Sequence, residues 1–373
     1  MLVQAEIILL ASVVASACAI PGVFLVLRKM SLLSDAIGHS ILLGIVLGFF
    51  ISRTLNSPLL IIGAALMGVF SVFLTQKIKN TGRVKEDASI GLVFPFLFSL
   101  GVILITRFAS RVHIDTDAVL LGEIGLAPFN RLVLGGIDLG PVSLWIMSTV
   151  LALNVLYVIT FYKELKLVSF DQGLAKSLGF STGFIHYSLM TLVSITTVSA
   201  FDSVGAVLVV ALIIAPAASA YLLVNSVSSM LFLSAVFGVL SAVTGYALAS
   251  MFNASIAGAI AVMTGVFFLC AFLFSPRHGA FFRLAKKRGQ KKLFSLHMLL
   301  VHLLDHEKTR DEPVENTIAN AVEHMKWAPA FSRELVLLGT KKDWLYEKKQ
   351  RLYLTSTGRS VAKQVMQTTR MEY

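Results

Sequence analysis

Long apolar runs alternate with short polar connections along most of the sequence. Each run is about 20 residues long, which is the length that an α-helix needs to cross the hydrocarbon core of a bilayer. The pattern therefore predicts an all-α polytopic membrane protein with about nine transmembrane helices. The predicted spans are residues 5–27, 35–52, 58–76, 89–106, 141–161, 183–201, 204–224, 229–250 and 255–275.

Proline and small residues inside the spans add detail to this pattern. Pro21 is expected to interrupt the first helix. Pro95 and Pro216 each free one backbone carbonyl, which is consistent with a static kink or with a broken helix beside a pathway. Small residues recur at helix-contact spacing, as at Gly44 and Gly48, so the spans are expected to form a tight bundle.

Basic residues cluster in alternate connections, and such connections belong on the cytoplasmic side. The clusters follow the first, third, fifth and ninth spans and contain Arg28, Lys29, Lys77, Lys79, Arg83, Lys85, Lys163, Lys166 and the run within residues 281–292. Nine spans then place the N-terminus outside and the C-terminus in the cytoplasm. Arg107, Arg111 and Arg131 fall on the outer side, where acidic residues accompany them. The first span has no cleavage pattern, so we expect it to be retained.

The composition agrees with a membrane protein. Of 373 residues, 56% are hydrophobic and 14% are charged, which excludes an ordinary soluble domain. The net charge is +11, and the basic run after the ninth span indicates a membrane-edge anchor in contact with lipid rather than a nucleic-acid site. Cys18 and Cys270 each lie in an apolar run, which predicts buried thiols without a disulfide framework.

Two ionisable residues stand at the start of the second span. Asp35 and His39 are four residues apart, so a helix places both on one face, about one turn apart. A carboxylate and an imidazole together suit a divalent metal such as manganese, iron or zinc. The alternative is a polar helix start in which Ser34 or Asp35 acts as the N-cap. Asp202, between the sixth and seventh spans, is a weaker metal candidate, and a solvated loop position is its simpler interpretation.

The connection over residues 161–179 is longer and better patterned than the others. Asp171 is expected to cap a short helix that contains Leu174 and Leu178 and that Gly179 ends. Such a helix lies along the inner membrane surface or docks a cytoplasmic partner.

Three stretches resemble the permease subunits of bacterial manganese, zinc and iron uptake transporters of the ATP-binding-cassette type. They are Ser31–Ser40, Phe170–Gly179 and Val204–Ala220, and the resemblance covers residues 5–278. It implies a multi-pass permease of the bacterial cytoplasmic membrane that imports a divalent metal. Asp35 and His39 fall on the family's Asp-Ala-x-x-His positions and become metal-path candidates. Asp171, Leu174, Leu178 and Gly179 fall on the family's ATPase-docking helix.

The resemblance also implies partners. A second permease subunit would complete a homo- or heterodimer, two ATPase subunits would bind below, and an extracytoplasmic protein would deliver the metal. This sequence contains no Gly-x-x-x-x-Gly-Lys-Ser/Thr phosphate loop, so it is not expected to be an enzyme by itself. A histidine-rich outer loop is also missing from it, which favours manganese or iron over zinc.

The sequence departs from the family at two positions. Leu42-Leu43-Gly44 stands where the family has Leu-Pro-Gly, and Asn253–Gly258 lacks the usual acid and proline. These departures fit one half of a heterodimer whose other subunit differs.

The chain beyond the permease predicts a small cytoplasmic domain. The predicted division is 1–280 for the permease, 281–292 for a basic linker and 293–373 for a winged-helix-like domain. Helices are expected over 293–306, 314–325 and 331–338, followed by a hairpin over 343–355 and a last helix. The connection from the last strand to the last helix, Leu354–Arg359, resembles the equivalent connection in metal-dependent bacterial repressors.

The histidines of this domain have two interpretations. His297, His302 and His306, with Asp305, offer metal donors, although a solvated amphipathic helix is the simpler interpretation. The mixed charge of the domain favours protein contacts over DNA binding.

Two other functions remain open. One is an ATP-driven permease for a metal chelate or other small nutrient. The other is a membrane-tethered metal-responsive regulator, with the winged helix as its output.

Overall fold

The computed structural model describes residues 2–54, 57–108, 124–134, 137–275, 279–309, 312–317, 319–320 and 325–371. The chain divides into two compact units, Met1–Gly279 and Ala280–Tyr373. Each unit has its own hydrophobic core.

The first unit is a helical bundle with one small hairpin. Its helices are α1 (Leu2–Leu27), α2 (Leu32–Ser52), α3 (Pro58–Asn80), α4 (Glu86–Phe108), α5 (Val142–Thr160), α6 (Tyr162–Phe170), α7 (Gln172–Ser177), α8 (Thr182–Val204), α9 (Ala206–Leu223), α10 (Val227–Phe252) and α11 (Ile256–Phe274). Within the described ranges, nine helices are long and apolar enough to cross a membrane. The predicted polytopic all-α fold is confirmed. Many large apolar side chains on these helices are exposed, as expected for surfaces that face lipid.

Proline does not interrupt the first helix, so that prediction was wrong. Helix α1 continues through Pro21. The proline removes the hydrogen-bond donor that the carbonyl of Ala17 would otherwise receive. Asn154, which is fully buried in α5, donates to that carbonyl instead, with 2.8 Å between its Nδ2 and the Ala17 oxygen. The side chain from a neighbouring span therefore satisfies the freed backbone group and ties α1 to α5.

Glycine allows α2 and α3 to pack backbone against backbone. A Cβ atom on Gly44 would lie 2.3 Å from the carbonyl oxygen of Gly63, and one on Gly48 would lie 2.6 Å from that of Leu59. Only a residue without a side chain fits such an approach. The close contact fixes the position of α2, the helix that carries Asp35 and His39.

Replacing Gly44 by Ala is expected to destabilise the bundle. The added methyl group would overlap the backbone of α3, and overpacking of this kind typically costs about 1–3 kcal/mol. We expect a lower yield of folded protein and a lower midpoint of thermal unfolding in detergent. Gly91→Ala is the matched control, because a Cβ at Gly91 would meet nothing within 4 Å. Equal behaviour of the two variants would contradict the packing argument.

A hairpin, which the apolar pattern did not predict, precedes the fifth span. Strands β1 (Arg131–Leu134) and β2 (Ile137–Pro141) pair in antiparallel fashion, next to a 3-10 turn at Ile124–Phe129. Arg131 holds the hairpin to the start of α1 through two 3.1 Å hydrogen bonds to Glu6, and its Nε lies 2.5 Å from Asp138 Oδ2. The Gly135-Gly136 sequence between the strands was the missed hairpin signal.

The second unit combines helices with a second hairpin. Its elements are α12 (Ala280–Asp305), α13 (Glu312–Glu315), α14 (Pro329–Lys341), β3 (Leu345–Lys348), β4 (Arg351–Leu354) and α15 (Ser356–Met371). Leucines of α12 and α14 pack against the hairpin to form the core. The predicted basic linker, residues 281–292, is part of α12.

One predicted helix of this unit was wrong in its bounds. The sequence predicted a helix over 314–325, but α13 ends at Glu315. Asn316 follows as a buried residue whose carbonyl accepts from the Leu352 backbone N–H at 2.8 Å, and Thr317 forms a bridge with Arg351. Part of the predicted range, 318 and 321–324, lies outside the described residues. The winged-helix interpretation of this unit stays a prediction.

Candidate functional site

Asp35 and His39 lie on one face of α2, as their spacing predicts. The Nε2 atom of His39 is 3.4 Å from Oδ1 of Asp35, and the two side chains are 34% and 42% exposed. His39 is the seventh residue after Leu32, the first residue of the helix, which places it about 10 Å along the axis. Asp35 lies in the first turn of the candidate span Leu32–Ser52, and His39 lies about a third of the way along it.

Two aromatic rings of α4 surround His39. Phe94 stacks against the imidazole with a centroid distance of 5.6 Å, and Phe98 meets it edge-on at 5.7 Å. These contacts limit the orientations of the imidazole and keep its nitrogens toward Asp35. Sequence reasoning missed both phenylalanines. The two phenylalanines are four residues apart, so a helix places them on one face. The sequence does not show, however, that this face of α4 packs against α2.

The last turn of α8 packs against α2 at Gly38, between Asp35 and His39. Gly38, between the two candidate ligands, would carry a Cβ 3.3 Å from the ring of Phe201. The next residue is Asp202, whose backbone belongs to α8 rather than to the predicted loop. The fold therefore brings Asp202 near the pair in the bundle, although its side chain lies outside the described ones.

The Asp35–His39 pair supplies two metal donors from one chain. Oxygen and nitrogen donors of these types bind divalent manganese, iron and zinc. Among the side chains that the structure describes, no third His, Cys, Asp or Glu joins them within a metal-binding distance.

The predicted docking connection folds as a pair of short helices. The carboxylate of Asp171 accepts from the backbone N–H of Leu174 at 2.9 Å and so caps α7, while Gly179 follows with a φ of +85°. Leu174 and Leu178 are 47% and 60% exposed. Together with the exposed side chains of Phe170 and Phe180, they form an apolar surface that nothing in this chain covers within the described residues.

Arg28 links the end of α1 to these short helices. Its Nε donates to Ser169 Oγ at 3.2 Å. Burial lowers the pKa of Arg28 to about 10, so the guanidinium remains charged at neutral pH. This hydrogen bond connects the half-buried guanidinium at the end of α1 to α6.

Comparison with known proteins places this architecture in a family. The model of the ABC 3 transport family matches residues 2–275, and the chain belongs to this family. It is 47% identical to the zinc transport system membrane protein TroD of Treponema pallidum, over 96% of this chain and 97% of that protein. It is 47% identical to the manganese transport system membrane protein MntD of Bacillus subtilis, over 74% of this chain and 93% of that protein.

A solved structure agrees with the sequence comparison. PsaBC from Streptococcus pneumoniae, in complex with Fab, matches with a TM-score of 0.62 and 34% identity, over 73% of this chain and 92% of the matched one. The alignment with TroD is longer than the match to this structure. It leaves out only about 4% of this chain and therefore reaches into the second unit. The chain is thus a multi-pass membrane permease of the ABC class.

Proposed function

We propose that this chain is the permease subunit of an ATP-driven importer of a divalent transition metal, with manganese as the favoured substrate and zinc or iron next. The observation that carries the proposal is the Asp35–His39 pair inside a span. Ionisable groups within a membrane are costly, about 2.5–3.5 kcal/mol on insertion scales for a charged residue at the centre of a span, and they mark substrate paths. Relatives named for zinc and for manganese transport support the same class of substrate.

The experiment is reconstitution of the permease with its partner ATPase in liposomes, followed by metal analysis and ATPase assays. We expect Mn²⁺ to accumulate in an ATP-dependent manner and to be accompanied by ATP hydrolysis. Zn²⁺ and Fe²⁺ serve as competitors that rank the substrates, and Mg²⁺ serves as the control ion. Uptake of a metal chelate without uptake of the free ion would favour a chelate permease instead.

The partner subunits belong to this proposal. ATPase subunits are expected to dock on the apolar surface of Phe170, Leu174, Leu178 and Phe180, because an exposed apolar patch of this kind marks a protein contact. A second permease subunit, identical or different, would complete the dimer. An extracytoplasmic metal-binding protein would deliver the ion to the opposite face.

The orientation in the bacterial cytoplasmic membrane follows from charge. Basic residues in the connections after α1, α3 and α5 favour the cytoplasm for those connections. The N-terminus would then be outside, and the second unit would be cytoplasmic. The docking surface between α5 and α8 would face the same side.

The second unit is expected to modulate transport or assembly by protein contact. Its short tether to the ninth span gives it an effective concentration of roughly millimolar order against a membrane-bound partner. The chain should be cut after Gly279, because the boundary between the two units lies there and α12 begins at Ala280.

Truncation after Gly279 is expected to leave insertion intact, since the first unit has its own core. We expect the metal concentration for half-maximal uptake to shift about fivefold or more. A fivefold change in affinity is the lower end of the range that is typical when one site influences another. Dose–response curves of uptake measure the shift. Unchanged assembly and unchanged metal dependence would contradict a modulating role, and specific operator binding by the full chain would favour a tethered regulator.

A further inference from the structure

Three metal-binding side chains cluster in the second unit, away from the Asp35–His39 pair. His302 and His306 stand near the end of α12, and Glu315 ends α13. One donor atom from each lies within 4.8 Å of the others. This is the one such group of three among the residues that the structure describes.

The geometry of the cluster is close to that of a metal site. His302 Nε2 lies 3.8 Å from Glu315 Oε2, and the two imidazole centroids are 4.7 Å apart at 62°. Donors at about 2.0–2.1 Å from a tetrahedral ion stand about 3.4 Å from one another. Small side-chain rotations therefore bring all three donors onto one ion. The four-residue spacing of the histidines places both imidazoles on one face of α12.

Burial distinguishes these three residues from surface charges. The side chains of His302 and Glu315 are 11% and 17% exposed. Neighbouring carboxylates are engaged elsewhere, since Glu307 accepts from Arg359 and Glu312 accepts from the backbone N–H of Lys308. The cluster is thus a half-buried set of two imidazoles and one carboxylate.

We propose that His302, His306 and Glu315 bind a divalent transition metal ion, for which Zn²⁺ is the best match. Two histidines and a glutamate are an established ligand set for Zn²⁺, with the fourth position left to water or another group. The proposal concerns the second unit alone and does not depend on transport through the first.

A bound ion would join two parts of the unit that are otherwise separate in sequence. Glu315 directly precedes Asn316 and Thr317, which pair with β4. The ion would therefore connect the end of α12 to Asn316 and Thr317, the residues that pair with the hairpin. Metal binding is expected to stabilise this unit, because a preformed site of this kind does not exist in the unfolded chain.

The test uses the purified full chain in detergent, in an Asp35→Asn, His39→Gln background that removes the other candidate site. Zn²⁺ binding is measured by equilibrium dialysis and metal analysis, and Co²⁺ is used as a spectroscopic probe of coordination. We expect one Zn²⁺ per chain and the visible absorption bands of four-coordinate Co²⁺. Glu315→Gln and His306→Gln should each weaken Zn²⁺ binding at least about tenfold.

His297→Gln is the matched control, because His297 lies on the same helix but faces Trp344, with a ring-centroid distance of 5.6 Å. It should bind Zn²⁺ as the parent does. Far-UV circular dichroism without metal checks that each variant is folded, and a Zn²⁺-dependent rise of the unfolding midpoint should occur in the parent and in His297→Gln alone. Undiminished Zn²⁺ binding by folded Glu315→Gln and His306→Gln, or an equal loss in His297→Gln, would overturn the proposal.

Discussion

Asp35→Asn and His39→Gln are each expected to abolish metal uptake while leaving the permease folded and bound to its ATPase. Asparagine keeps the shape of the carboxylate but removes its charge, and glutamine removes the imidazole nitrogen that faces Asp35. Loss of even an outer-shell partner of a metal ligand costs about 10–100-fold in affinity or activity, so loss of a direct ligand should cost at least as much. Uptake of radioactive Mn²⁺ into proteoliposomes measures the effect.

Asp87→Asn is the matched control for the carboxylate. Asp87 is an exposed acid in the first turn of another span, α4, so its replacement tests the loss of a charge at a comparable position. We expect near-normal uptake from this variant. Normal uptake by both Asp35→Asn and His39→Gln would reduce the pair to a polar helix start, which was the alternative interpretation of the sequence.

Leu174→Asp is expected to uncouple the permease from its ATPase. Leu174 is 47% exposed in this chain, so the substitution leaves the bundle core unchanged. In a dry contact with a partner, however, the new carboxylate would be buried without a counter-charge, at a cost of several kcal/mol. Since about 1.4 kcal/mol corresponds to a factor of ten, we expect at least a tenfold weaker complex. Co-purification and permease-stimulated ATP hydrolysis measure the loss.

The control for this prediction is Gln172→Asp. Gln172 is an exposed residue of the same short helix, and an acid in the first turn is compatible with the helix dipole. It adds the same charge while leaving Leu174 and Leu178 in place. If Gln172→Asp and Leu174→Asp lose the ATPase equally, charge rather than the apolar surface is responsible. If both retain it, the ATPase docks elsewhere.

The spans could be predicted well because lipid imposes a simple rule on each helix separately. A helix in hydrocarbon must satisfy its backbone internally and present about 20 apolar residues, and both properties are local. The cap at Asp171 was predictable for the same reason, because its partner is the backbone of Leu174 three residues away. The i, i+4 pair of Asp35 and His39 is likewise a property of one helix.

Features that depend on two distant segments could not be predicted. Whether Pro21 breaks α1 depends on Asn154, a residue from another span that donates to the freed carbonyl. The contacts of Phe94 and Phe98 with His39 depend on how α4 packs against α2. A single sequence does not show that these two helices are neighbours. The placement of Asp202 in α8 depends likewise on a helix end that packs beside Gly38.

The second unit shows the same limit of prediction. Apolar spacing predicted the helix near Leu296 and Leu299, and alternation predicted the hairpin. Asn316 and Thr317 were predicted as helix because their local pattern allows one. In the structure they pair with β4 instead, so a tertiary hydrogen bond to Asn316 overrides the local preference.

The most direct test of the central claim is anomalous X-ray diffraction from crystals of the permease complex loaded with Mn²⁺, with data collected on both sides of the manganese absorption edge. We expect an anomalous peak inside the bundle, at a ligand distance of about 2.0–2.3 Å from a carboxylate oxygen of Asp35 and a ring nitrogen of His39. The peak should vanish in Asp35→Asn crystals. A manganese peak elsewhere along the spans, with Asp35 and His39 unliganded, would show that the pair does not bind the transported metal.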